Sequence, residues 1–150
     1  MASLEKHTTS VESTVALAPY DAFQLGDLSS VLILAGETRR AIEWLDQALA
    51  KDPANAPFYR QLRGWALCVA GRHAESAAEL ARSIDLVAVP VLQAVNHSRL
   101  GRPDDARAEV KKALALEPGL TRARWQAANP YRDPAVLAGQ LADLERAGLP

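Results

Sequence analysis

The 150-residue chain is sparing with the residues that usually advertise cross-links or chemistry. It has one cysteine, Cys68, so no internal disulfide can staple the fold and a reducing compartment suits it. Aromatic residues make up only 5% of the chain, which speaks against a β-sandwich filled by aromatic side chains. Neither sign of charge dominates. A formal net charge of −1 gives no overall pull towards nucleic acid or an anionic membrane. No apolar run approaches the ~18 residues that a membrane span needs. The start, "MASLEKHTTS", lacks a basic end followed by an apolar stretch, so no secretory leader is read there. Asn96-His97-Ser98 fits the glycosylation pattern, but without a leader it is read as chance. The expectation is a soluble, cytoplasmic chain with no membrane partner.

What the chain does have is alanine, at regular intervals. Gly36, Ala41, Ala48 and Pro53 stand 5, 7 and 5 residues apart, and Gly101, Ala106, Ala113 and Pro118 repeat those intervals. Ile42, Leu45 and Leu49 form an apolar stripe at helical spacing in 37–51, as do Ala106, Val110 and Leu114 in 103–117. Further apolar helices are read upstream of each glycine, from Phe23 to Ala35, Phe58 to Ala70 and Val89 to Leu100. The spacing then has a physical cause. Glycine ends one helix by turning left-handed cheaply, alanines two turns apart let the next helix lie close, and proline stops it. The reading is all-α.

Sites for chemistry are hard to find. His7, His73 and His97 lie on different elements with no acid or cysteine at ligand spacing, so they read as surface or loop residues and no metal is expected. Cys68 lies in an apolar helix with no evident base beside it and reads as a small core residue. Asp104 and Asp105 open a helix behind Pro103, where they complement its dipole. Ser3-Leu-Glu-Lys6 imitates a serine–lysine nucleophile in a terminal stretch. No phosphate-cradling loop is present. The expectation is a non-enzyme without cofactors.

With the helix–glycine–helix–proline unit established, the chain resembles the tetratricopeptide repeat (TPR) family, whose unit is a 34-residue helix–turn–helix. Pro19 to Pro53 is 34 residues, and the residues that carry the resemblance are Leu25, Leu28, Ser29, Leu32, Gly36, Ala41, Leu45, Ala48 and Pro53. Leu100, Gly101, Ala106, Val110, Ala113 and Pro118 carry it in the last copy. The middle copy is weaker, with Gly71, Ser76, Leu80, Ser83 and Ala88 at the corresponding places. Gly36 to Gly71 is 35 residues and Gly71 to Gly101 only 30. The extra residue is expected inside 58–70, as a bulge or a longer helix start, and the missing turn around "DLVAVPVL". The resemblance implies an α-solenoid of antiparallel hairpins in a right-handed superhelix, over one domain. Its expected divisions are a half-repeat or capping helix at 4–17, repeats at 22–55 and 56–86, a shortened repeat at 87–119, and a closing helix pair at 120–147. In that pair Leu137, Leu141 and Leu144 are expected to cover the array while Asp143, Glu145 and Arg146 face water. The tail "NPYRDPAVLAGQLADLERAGLP" also resembles the closing segment of TPR regions that follow some bacterial class III adenylate/guanylate cyclases.

What the resemblance implies about function is binding. A TPR scaffold presents its first helices as a concave groove for a protein or peptide. The family's two-carboxylate clamp is missing, since the matching places hold Phe23 and Asp27, Phe58 and Leu62, and Ala88 and Leu92. The candidate groove is therefore apolar: Phe23, Asp27, Ile33, Phe58, Leu62, Trp65, Leu92 and Val95. The expected ligand is an apolar or helical partner segment, with a second copy of the chain as a further candidate. Two other readings stand beside this one. The chain is a regulatory, oligomerisation or non-catalytic tail of a larger bacterial protein such as a cyclase, or Arg60, Arg63, Arg122 and Arg124 form a patch for RNA. The balance of charge disfavours nucleic acid.

Overall fold

The computed structural model describes residues 21–150, and within them the chain is all-α. The expected helix at 4–17, His7 and the Ser3–Lys6 stretch lie outside the described residues. Eight helices follow one another: α1 Ala22–Ala35, α2 Thr38–Lys51, α3 Ala56–Val69, α4 His73–Leu80, α5 Ala88–Arg99, α6 Pro103–Leu116, α7 Arg122–Ala128 and α8 Pro134–Arg146. No strand occurs among the described residues, and no helix there is long and apolar enough to cross a membrane.

Local chemistry sets the helix ends. Asp21 opens α1 with a capping box, its carboxylate accepting from the Gln24 amide at 2.8 Å while Gln24 Oε1 accepts the Asp21 N–H. Asp133 opens α8 in the same spirit, accepting from the Ala135 amide at 2.9 Å, with Pro134 in the first turn. Gly36, Gly71, Gly101 and Gly148 all turn left-handed, with φ between 73° and 96°, where a side chain would strain the backbone. After Gly36 the Glu37 amide reaches back to the Leu32 carbonyl at 2.8 Å, satisfying a group the helix end leaves open.

From α1 to α6 each helix packs on the next in sequence, α1 also packs on α3 and α3 on α5, and the last helix, α8, packs on α5 and α7. Small residues permit the closeness. Ala41, Ala48, Ala106 and Ala113 are buried, and so is Ser76 at the equivalent place in α4. At Gly64 the packing is tightest, for a Cβ there would lie 2.4 Å from the side chain of Leu80. Ser76 Oγ donates to the Gly64 carbonyl at 2.7 Å and accepts from Asn96 Nδ2 at 2.8 Å, while Asn96 Oδ1 meets His73 Nδ1 at 2.9 Å. This buried polar chain locks α3, α4 and α5 in one register.

The irregular spacings resolve as follows. Helix α3 runs unbroken and starts three residues after Pro53, as α1 starts three after Pro19, so the extra residue comes at its end, where Ala70 keeps a right-handed backbone between Val69 and the left-handed Gly71. The missing turn falls on α4, which stops at Leu80 after eight residues. Ser83 therefore sits beyond the helix and bonds back to the Leu80 carbonyl at 2.7 Å instead of serving as a second small contact. Pro90 lies in the first turn of α5, where its missing N–H costs nothing.

Two apolar cores result. One gathers α1, α2 and α3 from Tyr59 to Leu67 around Leu25, Leu32, Ile33, Trp44 and Tyr59. The other gathers the end of α3 with α5 to α8 around Leu92, Val95, Val110, Trp125 and Leu144. Trp65 packs against both and joins them.

Candidate binding face

The sequence places its groove residues on α1, α3 and α5, and the structure distributes them over distinct environments. Phe23 of α1 is 60% exposed and stacks on the half-buried Phe58 of α3, their rings 6.0 Å apart and inclined by 14°. Phe58 in turn meets Tyr59 edge-on at 5.4 Å. Asp27 is exposed one turn further along α1. Ile33, Leu62 and Val95 are buried in the core and offer no open surface. A Cβ at Gly26 would touch Tyr59 and Leu62, so the glycine lets these side chains fill the seam between α1 and α3.

Trp65 and Leu92 meet at a pocket of about 320 Å³ between α3, α5 and α7. Val87, Ala88, Leu120 and Trp125 complete its apolar walls, and Glu117 and Arg124 stand at its edge, 3.4 Å apart. Trp125, brought in by α7, escaped the sequence reading although it supplies one of the chain's three tryptophans. Its indole N–H donates to Gln140 Oε1 of α8 at 3.0 Å. Gln140 Nε2 donates to the hydroxyl of Tyr131 at 3.2 Å, and that hydroxyl also accepts from Trp65 Nε1 at 2.7 Å. Burial pushes the Tyr131 phenol above its usual range, the two donated hydrogen bonds offsetting part of the effect. The sequence signal for Tyr131 is present in its flanking prolines, which hold "NPYRDP" away from helix.

The remaining candidates carry no reactive arrangement. Burial pushes the Cys68 thiol up to about 12, so it stays protonated at neutral pH although His73 lines the same pocket. His73 is engaged by Asn96. Asp104 and Asp105 occupy the first turn of α6, both exposed. Among the described residues no group of three histidines, cysteines or carboxylates could hold a metal ion. Each of the four singled-out arginines is paired with acid: Arg60 and Arg63 share Glu79, Arg63 also binds Asp46 at 2.9 Å, Arg122 binds Glu145 and Arg124 binds Glu117.

One expectation is overturned. Asp143 does not face water with its neighbours; it is 1% exposed. Its carboxylate accepts from Arg99 Nε at 2.6 Å, from Ser98 Oγ at 3.3 Å and from Arg146 Nη2. A Cβ at Gly139 would stand 2.6 Å from Arg99 Nη2, so this glycine opens the passage by which Arg99 of α5 crosses α8. Buried charge is tolerated here because three donors replace its water.

The described chain is an all-helical array of neighbouring hairpins closed by two further helices. It matches no protein-family model and no curated protein.

Proposed function

We propose that the chain is a protein-interaction module, a TPR-like α-solenoid whose first helices line a concave groove for an apolar partner segment. The observation that carries this reading is the apolar pocket between Trp65, Leu92 and Trp125, with the exposed Phe23 stacked on the half-buried Phe58 of α3. An open aromatic ring and an apolar pocket are surfaces that a partner's apolar anchors would cover. The helix–glycine–helix succession and its buried alanines support the family resemblance on which the groove rests. The pairing of the four arginines with acids supports a protein ligand over a polyanion.

The test is affinity capture with the purified chain, followed by titration of the recovered partner at low and high salt. Affinity that changes little with salt and falls at least about tenfold with Phe58→Ala is expected, because screening acts on charge and not on apolar burial. A steep salt dependence with an indifferent Phe58→Ala would defeat the proposal.

A further inference from the structure

The segment between α7 and α8, residues 129–133, crosses the same face and reaches α1. Asn129 and Asp133 each precede a proline; Asp133 holds an extended backbone at φ −87°, while the Tyr131 amide turns back to the Asn129 carbonyl at 2.9 Å, so the chain folds at Pro130. Between the prolines, Tyr131 lays its ring against Trp65, centroids 6.4 Å apart and planes inclined by 59°. Its hydroxyl takes the Trp65 indole hydrogen, and the next residue, Arg132, donates its amide to the Leu34 carbonyl at 2.8 Å. That carbonyl belongs to the last turn of α1, where the helix itself supplies no donor. Pro130 and Asp133 remain exposed, while Asn129 is buried and donates to the Trp125 carbonyl at 2.8 Å and Tyr131 packs against the core of α1 to α3.

We infer that residues 129–133 are a built-in ligand of the groove, and that its outside ligand is a peptide turned at a proline and bearing an aromatic side chain, which competes with Tyr131 for Trp65. The inference rests on the groove reading above. It takes its ligand chemistry from the seat itself. An aromatic ring satisfies Trp65, a hydroxyl or carbonyl on it accepts the indole N–H, and one backbone N–H caps α1 at Leu34. Two helices tether the segment at both ends, so it can lift and return without the array coming apart. While seated, Tyr131 occupies Trp65, which also lines the pocket beside Trp125 and shares α3 with Phe58, so the surface is interrupted at that residue. An incoming peptide that displaced Tyr131 would gain the continuous surface, which makes the segment a gate on affinity.

The test uses this chain and a peptide copied from it, so its failure is separable from failure of the partner search. By native-state amide exchange, Arg132 should open locally and exchange at least about a hundredfold faster than core amides such as Leu67 and Val95. Trp65→Phe, which keeps the ring and removes the donor, should speed Arg132 about five- to thirtyfold further. A synthetic peptide, AANPYRDPAV, should bind the Tyr131→Ala chain and perturb Trp65, and should bind the unaltered chain at least about tenfold more weakly. The same peptide with alanine for tyrosine should not bind. If Tyr131→Ala fails to fold, Tyr131→Phe serves, with accelerated Arg132 exchange as the readout. Arg132 exchange that occurs only on global unfolding, or peptide binding that ignores whether the seat is filled, would overturn the inference.

Discussion

Trp65 donates its indole hydrogen to the hydroxyl of Tyr131 at 2.7 Å, across 66 residues of chain. The contact ties the helix that joins the two cores to the segment that leads into the last helix. A buried indole N–H without a partner costs about 1–3 kcal/mol, so Tyr131→Phe should lower stability by an amount in that range while the ring still packs. Chemical denaturation followed by tryptophan fluorescence would measure it. An unchanged midpoint would mean that water replaces the hydroxyl freely.

The close approach of α3 and α4 makes a second prediction. Gly64→Ala must push Leu80 out of its seat, since the new carbon would fall 2.4 Å from it. Overpacking of this kind costs about 1–3 kcal/mol, and a bulky residue for Ala48 or Ala113 should cost a similar amount. Glu43 is exposed on α2, and its replacement by alanine should leave the melting temperature within a degree or two of the original. Equal effects at Gly64 and Glu43 would refute the packing.

Alkaline pH should unfold the chain before strong base is reached. Burial raises the Cys68 thiol from 9.0 to about 12. Burial and the 2.8 Å hydrogen bond to Asp52 raise the Tyr59 phenol from 10.0 to about 12. Both folded values lie above the unfolded ones, so the folded state binds these protons more tightly. Their contribution is therefore complete below about pH 9 and is lost progressively towards pH 12. Thermal melts across that range should show the decline, and Cys68→Ala should make it shallower. A stability flat to pH 12 would contradict the burial of both groups.

The closing helix yields a fourth. Arrays expose the apolar face of their last unit unless something covers it. Leu144 is wholly buried there, with Leu137 and Leu141 packed beside it, and Asp143 is held by Arg99 of α5. Removing residues 130–150 should bare this face and promote dimers or aggregates, which light scattering would detect. Arg99→Met, which removes one donor from a buried carboxylate and leaves Ser98 and Arg146, should cost about 1–3 kcal/mol. A truncated chain that stays monomeric and melts unchanged would show the segment to be a mere tail.

Much of the helical frame was legible because it rests on local rules. Gly36, Gly71, Gly101 and Gly148 sit where only glycine turns left-handed cheaply, and Asp133 and Pro134 announce α8 at its first turn. The buried alanines are legible from their seven-residue interval for the same reason. The site was less so. Periodicity marks which face of α3 is apolar but does not say that Leu62 lies in a seam while Phe58 stays partly open. Burial of Asp143 depends on Arg99, 44 residues away, and on the room left by Gly139. Tyr131 and Trp125 reach the face from the closing segment, and nothing local to either residue names Trp65 or Gln140 as its partner. The early stop of α4 was likewise hidden, because Ser83 suits a helix contact and a helix end equally well.

The central claim is that ligands bind on the face formed by Phe23, Phe58, Trp65 and Trp125. The most direct measurement is selection of peptides from a displayed library against the chain, followed by amide and indole NMR shifts on titration of a selected peptide. Shifts concentrated at the Trp65 and Trp125 indoles and along α1 and α3, abolished by Phe58→Ala together with Trp65→Ala, are the predicted result. Saturable binding whose shifts fall on the outer helices α2, α4 and α6, and which survives both substitutions, would contradict it.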